Sequence, residues 1–310
     1  TVKFQGFLLL IPALLAVSCG KDGDTAAPAG ELCDITATPI YPVDGQRDML
    51  YRAEVEFELS EPDLTATITV ADASGADVPG TVRFNDDSDV VYFAPNGPLD
   101  PSADYTATLS WCGGEGTIGF ATSELGTALT TSVEGRTYAL DPASGRFVEP
   151  EGVGDILSGL LTGQVLMGIL SEGNELTFRG ALAQDGSTDQ DTCYVSVDMP
   201  AADFSQAPYF ELPEQDLEMN VAGYDVIINN LTITGTFAAD GASFGGGGFS
   251  GELDAREIGD LLEGQLDDTS PEYICELLGS LSVDCQPCSS DGETWCLQVV
   301  VDQIVATETG

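Results

Sequence analysis

The chain has 310 residues, 52 of them Asp or Glu and only 9 Lys or Arg, for a net charge of −43 at neutral pH. So few cations exclude nucleic acid as a partner and leave anionic lipid headgroups repelled, while a hydrophobic content of 43% is that of a folded protein with an acidic solvated surface. The chain has no histidine, which removes Ser-His-Asp and Cys-His catalysis, His-ligated zinc and imidazole proton transfer.

Residues 1–18 carry Lys3, an apolar run from Phe7 to Val17 and the small residues Ala16-Val17-Ser18 before Cys19. A charged start, a short apolar stretch and small residues before a cut are the parts of a secretory signal, and the run is too short to span a bilayer as a helix. With Cys19 directly after the cut, the segment resembles the lipobox of bacterial lipoproteins, although Ala16 stands where Leu is usual. An ordinary secretory signal is the competing reading. The resemblance implies that the Cys19 thiol is diacylated and becomes the new N-terminus, and two acyl chains on one residue give stable anchoring. Gly20 follows where the inner-membrane retention signal of such proteins places Asp, so the resemblance implies the outer membrane or cell surface. Residues 19–32, rich in Gly, Ala and Asp, then read as a flexible tether.

Residues 33–126 read as short strands separated by turn clusters. Ala53, Val55, Phe57 and Leu59 alternate with Glu54, Glu56 and Ser60, and Ala66, Ile68 and Val70 repeat the period of two. Ile35 to Thr38, Val82 to Phe84, Val90 to Phe93, Tyr105 to Trp111 and Ile118 to Phe120 complete about seven strands, the number and spacing of an immunoglobulin-like antiparallel β-sandwich. The segments Pro42-Val43-Asp44-Gly45, Val55-Glu56-Phe57, Phe93-Ala94-Pro95, Leu99 to Leu109 and Phe120-Ala121-Thr122-Ser123 resemble bacterial Ig-like domains of the SbsA type, found in S-layer and other cell-surface proteins. That resemblance implies a spacer or adhesive module without catalytic residues. Tyr105 enters the penultimate strand after a Pro-containing turn, where its hydroxyl is placed to bond backbone across the corner. Cys33 and Cys112 fall at the same pole of such a sandwich, so a bridge between them is expected, with a stabilisation of roughly 4 kcal/mol for so long a loop.

Residues 127–310 read as a β-rich domain. Arg136 to Leu140 is a strand. Val153, Ile156, Leu157, Leu160 and Leu161 fall at helical spacing, and Val165 to Gly180 forms a hairpin about Glu172-Gly173-Asn174. A longer hairpin runs from Tyr224 to Phe237 and from Phe244 to Leu253. Asp254 with Glu257 reads as a capping box, Ser270-Pro271 as a second helix start, and Trp295 to Val305 as a closing strand. The fold class is therefore mainly β: an Ig-like sandwich, then a curved sheet or partly open barrel with two or three short helices.

Cys275, Cys285, Cys288 and Cys296 crowd the C-terminal end. A four-Cys zinc site is one reading, but an exported chain favours disulfides, with Cys288–Cys296 and Cys275–Cys285 as the natural pairs and Cys193 left over. The acidic turns Asn85 to Asp89 and Asp185 to Asp191 offer oxygen ligands, with Asp185, Asp189 and Asp191 as weak calcium candidates, though neither matches an EF-hand. Gly245 to Gly248 lacks the Lys of a phosphate loop and reads as a flexible hairpin tip or a bulge. Asn230-Leu231-Thr232 is a formal sequon without evident use in a bacterial lipoprotein.

The sequence carries no catalytic constellation, cofactor motif or metal motif. Three function classes follow. The first is a membrane-anchored envelope protein with a structural, adhesive or binding role toward a surface protein or polysaccharide. The second is a carrier whose apolar stretch Val153 to Leu170 encloses a hydrophobic ligand. The third is a carbohydrate-active enzyme built on two carboxylates, with no pair nominated.

Overall fold

The computed structural model describes residues 33–141, 144–149, 164–184, 186–221, 224–259, 268–280 and 283–309. Ile35–Gly310 form one compact unit, and Cys33 and Asp34 belong to a separate N-terminal unit. The tether and the whole apolar run at 153–161, read above as helical, lie outside the described residues.

Seven strands form first: β1 (Ala37–Tyr41), β2 (Val55–Leu59), β3 (Thr67–Asp72), β4 (Gly80–Phe84), β5 (Val90–Pro95), β6 (Asp104–Trp111) and β7 (Gly114–Ala121). They build two antiparallel sheets, ordered β1-β2-β5-β4 and β3-β6-β7. The period of two explains the packing, because Val55, Phe57 and Leu59 of β2 and Ile68 and Val70 of β3 turn inward, against Val91, Phe93, Leu109 and Phe120. Each such fully buried side chain contributes about 1.5–3 kcal/mol of hydrophobic stabilisation. Tyr105 stacks on Phe120 at 5.7 Å between centroids, and its hydroxyl accepts the Asp100 N–H at 2.9 Å. That is the tyrosine corner expected of this fold. Burial pushes the Tyr105 hydroxyl above its ordinary pKa, so it stays protonated at neutral pH.

A third sheet has eleven strands: β8 (Thr137–Leu140), β9 (Arg146–Glu149), β10 (Val165–Glu172), β11 (Glu175–Leu182), β12 (Val197–Asp198), β13 (Ala202–Asp203), β14 (Tyr209–Val221), β15 (Tyr224–Phe237), β16 (Ser243–Asp254), β17 (Gln286–Pro287) and β18 (Thr294–Glu308). The path β10-β8-β18-β16-β15-β14-β13-β11 closes on itself, because β10 also pairs with β11. The expected curved sheet is thus an eight-strand ring, and β9, β12 and β17 are outliers paired to its members. Its narrowest seam is β13, joined to β14 by the single pair Asp203↔Glu211.

The ring is filled, not hollow, where Tyr138, Phe178, Phe204, Phe210, Phe237 and Phe244 meet. Their ring centroids lie 5.2 to 6.0 Å apart in tilted and edge-to-face pairs, the arrangement aromatic quadrupoles prefer. Tyr138 is buried, and its hydroxyl finds a partner by donating to the Gly241 carbonyl at 2.7 Å. Gly235 makes this packing possible, since a Cβ there would stand 2.6 Å from the Phe210 ring.

Gly245 to Gly248 lie inside β16, not at a hairpin tip. The strand is irregular there, with register breaks on both sides of Gly247, so of the two readings of this run the bulge is the one that holds. A Cβ at Gly247 would come within 2.8 Å of the Thr234 carbonyl, and Gly246 sits at φ +57° with Leu50 of the sandwich against it.

Among the described residues two short helices stand beyond the long strands. In α1 (Ala255–Ile258) the Asp254 carboxylate caps the Arg256 N–H. The capping box is only half made, because the Glu257 carboxylate accepts from the Ile227 N–H instead of reaching back to the cap. Helix α2 (Pro271–Gly279) starts with Pro at its first position and Ser270 as cap, and buries Ile274. Among the described residues no helix is long and apolar enough to cross a membrane.

The sandwich and the barrel meet through a built junction. Arg146 of β9 donates to Glu56 of β2 at 3.1 and 3.2 Å and to Asp302 of β18 at 2.6 and 2.9 Å. Arg52 lies 3.8 Å over the Tyr209 ring and donates to Gln206 at 2.6 Å.

Candidate functional site

A shallow cleft, open to solvent and of about 460 Å³, lies where the chain leaves the sandwich and enters the barrel, lined by Leu129, Thr130, Thr131, Ser132, Glu134 and Glu172 with Gly173 beside it. The linker is laid across the tip of the β15–β16 hairpin. The Thr130 N–H and hydroxyl both donate to the Ala239 carbonyl, at 2.7 and 2.8 Å, and the Thr131 hydroxyl donates to Asp240 O at 3.0 Å. Opposite it stands the β10–β11 turn, which brings in Glu172.

One oxygen of Glu172, Oε2, takes every bond. It accepts the Ser132 hydroxyl at 2.6 Å, the Val133 N–H at 2.8 Å and the Glu134 N–H at 3.3 Å. Burial raises the pKa of this carboxyl, but the Ser132 hydroxyl, the two backbone donors and the nearby Arg136 charge outweigh it and hold Glu172 below the usual carboxylate range. Glu172 is therefore an ionised anchor and is poorly suited to donate a proton. The Arg136 guanidinium is itself tied to Glu308 at 3.1 Å and to the Thr131 hydroxyl at 2.9 Å.

A second polar cluster stands at the other end of β16. Glu252 and Asp254 are buried. Glu252 accepts the Ser289 N–H and hydroxyl, and Ser289 in turn accepts from the Asn230 amide at 2.9 Å. Asp254 is gripped by Arg256, which also reaches Asp291 at 2.8 Å. Asp254, Cys288 and Cys296 lie close enough to share an ion, but the two sulfurs are joined to each other and offer no thiolate to a metal. The cluster is a clasp, with carboxylates fixing the loop that the disulfide closes.

The sequence-derived site residues fall as follows. Disulfides join Cys275 to Cys285 and Cys288 to Cys296, so the four-Cys zinc reading does not hold for these cysteines. Cys33 and Cys112 are both disulfide-bonded, and Cys193 is free and exposed. Cys19 and Asp185 lie outside the described residues. Asp189 engages the Gln184 N–H through its backbone carbonyl, while an Asp191 carboxylate oxygen accepts the Cys193 N–H at 2.9 Å. The turn at Asn85 to Asp89 is tied by Asn85, whose side chain accepts the Asp89 and Val90 N–H groups. Of the apolar stretch Val153 to Leu170, the described part is β10, where Leu166, Met167 and Ile169 are core. The Glu172 anchor was missed because its donors lie about forty positions away, on a linker with no pattern of its own.

The architecture is that of a β-sandwich module joined to a closed antiparallel barrel. Residues 34–111 match the bacterial Ig-like domain family, and the N-terminal sandwich is a bacterial Ig-like domain. No curated protein matches the chain. Among solved structures, the chain is similar to a cycloalternan-forming enzyme from Listeria monocytogenes in complex with a pentasaccharide substrate, at 13% identity and a TM-score of 0.19, covering 71% of this chain and 22% of that one. It is similar at the same identity and coverage to an uncharacterized protein of that organism solved with glucose, magnesium and calcium, at a TM-score of 0.18. The chain thus spans about a fifth of these proteins, and a likeness at such scores carries no argument.

Proposed function

We propose that this chain is a cell-envelope lipoprotein, held to the outer membrane or cell surface by acyl chains on Cys19. Its Ig-like sandwich serves as a pedestal and its barrel as the part that meets a partner. The observation that carries this reading is the junction. Arg146, with a side chain 35% exposed, ties Glu56 of the sandwich to Asp302 of the barrel. Tyr51, Arg52, Gln206 and Tyr209 interlock beside it, so the two parts act as one body and not as beads on a string. The Cys19 pattern and the absence of histidine support an anchored protein with a structural, adhesive or binding role.

The aromatic filling of the ring weighs against carriage of a hydrophobic ligand inside it, since the space such a ligand needs is taken by Phe210, Phe237 and Phe244. The Glu172 carboxylate, fixed through Oε2 and held below the usual carboxylate range, likewise weighs against acid–base work in the cleft.

The test of the anchor is fractionation in a bacterium that processes lipoproteins. The native chain is expected in the membrane pellet and to incorporate labelled palmitate, and Cys19→Ala to lose both properties. Native chain that is soluble and unlabelled would end the reading.

A further inference from the structure

We propose that the Cys275–Cys285 disulfide is a redox latch: a dithiol opens it and releases helix α2 from the barrel, while Cys288–Cys296 stays closed. The first observation is how little else holds the helix. Among the described residues, the hydrogen bonds of 268–280 run only within 268–283, as in Tyr273 N–H to Ser270 Oγ at 3.4 Å, Ile274 N–H to Ser270 O at 3.0 Å and Val283 N–H to Leu278 O at 3.0 Å. No ion pair among the described residues reaches it either. Along the helix only Ile274 is buried, and Tyr273 and Leu277 are exposed. Its nine residues fall short of the roughly 12–15 that an isolated helix needs for stability in water. Its last turn holds Glu276 and no cation, which the helix dipole disfavours.

The second observation is what the helix covers. Leu297 shares a face of β18 with Val299 and Val301, which belong to the barrel core. Leu278, Val283 and Cys285 pack over Leu297 as a small apolar cluster of their own. The two ends of the disulfide differ in anchorage. Cys285 leads directly into β17, whose Gln286 and Pro287 pair with Cys296 and Thr294 of β18. Cys275 rides on α2. Opening the bond therefore leaves Cys285 on the barrel and frees Cys275 with the helix, and the Leu297 seat loses Leu278.

Access separates the two bridges, although Cys285-Gln286-Pro287-Cys288 sets them side by side in sequence. Cys275 and Cys285 are half-buried, whereas Cys288 and Cys296 are 3% and 1% exposed. The buried bridge also sits in a turn closed without it, by Cys288 N–H to Glu293 O and Gly292 N–H to Cys288 O, both at 2.8 Å. Exchange requires a thiolate to reach a sulfur. One thiolate of the dithiol attacks the Cys275–Cys285 bond and displaces one sulfur as a thiolate. The second thiol then resolves the mixed disulfide, so two electrons and two protons pass to the cysteines and the reductant ends as its own disulfide. The latch goes beyond the anchoring role proposed above and does not depend on it.

The experiment is equilibration of the full detergent-solubilised chain in graded mixtures of reduced and oxidised dithiothreitol, followed by alkylation and mass mapping of each cysteine. Cys275 and Cys285 are expected to take label together, at a reduced-to-oxidised ratio at least about tenfold lower than Cys288 and Cys296 require. In the window between the two openings, hydrogen exchange at 271–280 should rise at least about tenfold, with β15 and β16 unchanged, and should fall back on reoxidation. The double variant Cys275→Ser, Cys285→Ser is expected to show the same fast exchange with no reductant. Both bridges opening together, Cys288 and Cys296 opening first, or a helix that stays protected once the bond is open would each overturn the latch. The titration uses the native chain, so the test stands even where the variant fails to fold. None of these outcomes touches the Cys19 fractionation, and the two proposals fail separately.

Discussion

At the scale of single residues, buried carboxylates do structural work in this acidic chain. Asp63 is buried and accepts the Thr65 hydroxyl and N–H and the Cys112 N–H. The Thr65 bond above all, and then the Cys112 N–H, hold its pKa below the usual carboxylate range against the pull of burial. Asp63→Ala strands these donors and is expected to cost about 2–3 kcal/mol in denaturant unfolding. Since the folded-state pKa is the lower one, the stabilisation is complete above the ordinary carboxylate range and is lost as pH falls through the depressed folded value. The gap in Tm between wild type and variant should therefore close in acid, and a gap constant with pH would show that the bonds do not need the charge. A second residue prediction concerns Gly235, where a Cβ would press on the Phe210 ring at 2.6 Å and on Phe244 at 3.1 Å. Gly235→Ala should lose about 1–3 kcal/mol to overpacking, measured the same way. Roles of this kind were only partly legible in the sequence. Tyr105 was readable because its partner lies five positions upstream. Asp63, Glu172 and Gly235 were not, because each is defined by neighbours brought in from far along the chain.

At the scale of elements, alternation carried the strands well and closure poorly. The hairpin of β15 and β16 was visible in its period of two, whereas the ring depends on the β10–β8 and β18–β8 pairings between distant segments, which no local pattern encodes. Beyond Glu211, among the described residues, β14 pairs only with β15. Pro213, two register breaks and the exposed Glu214 and Asp216 blunt that open edge against further pairing. The clasp gives the element-scale prediction. Replacing Cys288 and Cys296 by Ser opens a short loop and should cost about 2–3 kcal/mol in the chain-entropy estimate. Proteolysis should then begin near Ser289, whose bonds to Glu252 depend on the loop holding its shape. Cleavage that starts elsewhere would place the weak point outside the clasp.

At the scale of the whole molecule, the arginines are spent on cohesion. In the described residues Arg47, Arg83, Arg136, Arg146, Arg179 and Arg256 all pair with carboxylates, and Arg52 is stacked on tyrosine. Most of the acidic surface has no such partner, so like charges repel across it. Moderate salt screens that repulsion over a Debye length of about 10 Å and should raise Tm, whereas a fall would mean that the ion pairs outweigh the repulsion. Arg146→Ala removes the shared cation between Glu56 and Asp302, and after allowing for its partial exposure should cost about 1–2 kcal/mol. X-ray scattering should then show a larger radius of gyration, and an unchanged radius would mean that the aromatic contacts alone hold the parts together.

The glycine run in β16 bears on how such a protein can be rearranged. Ig-like modules are portable when their surfaces are self-sufficient. Here the barrel wall lacks side chains at Gly245 and Gly246, and Leu125 and Leu50 lie against it. Cut between sandwich and barrel, one half would expose bare backbone and the other the leucines that cover it. The pair is therefore a single heritable piece, and a fusion that borrows the barrel must borrow the leucines too.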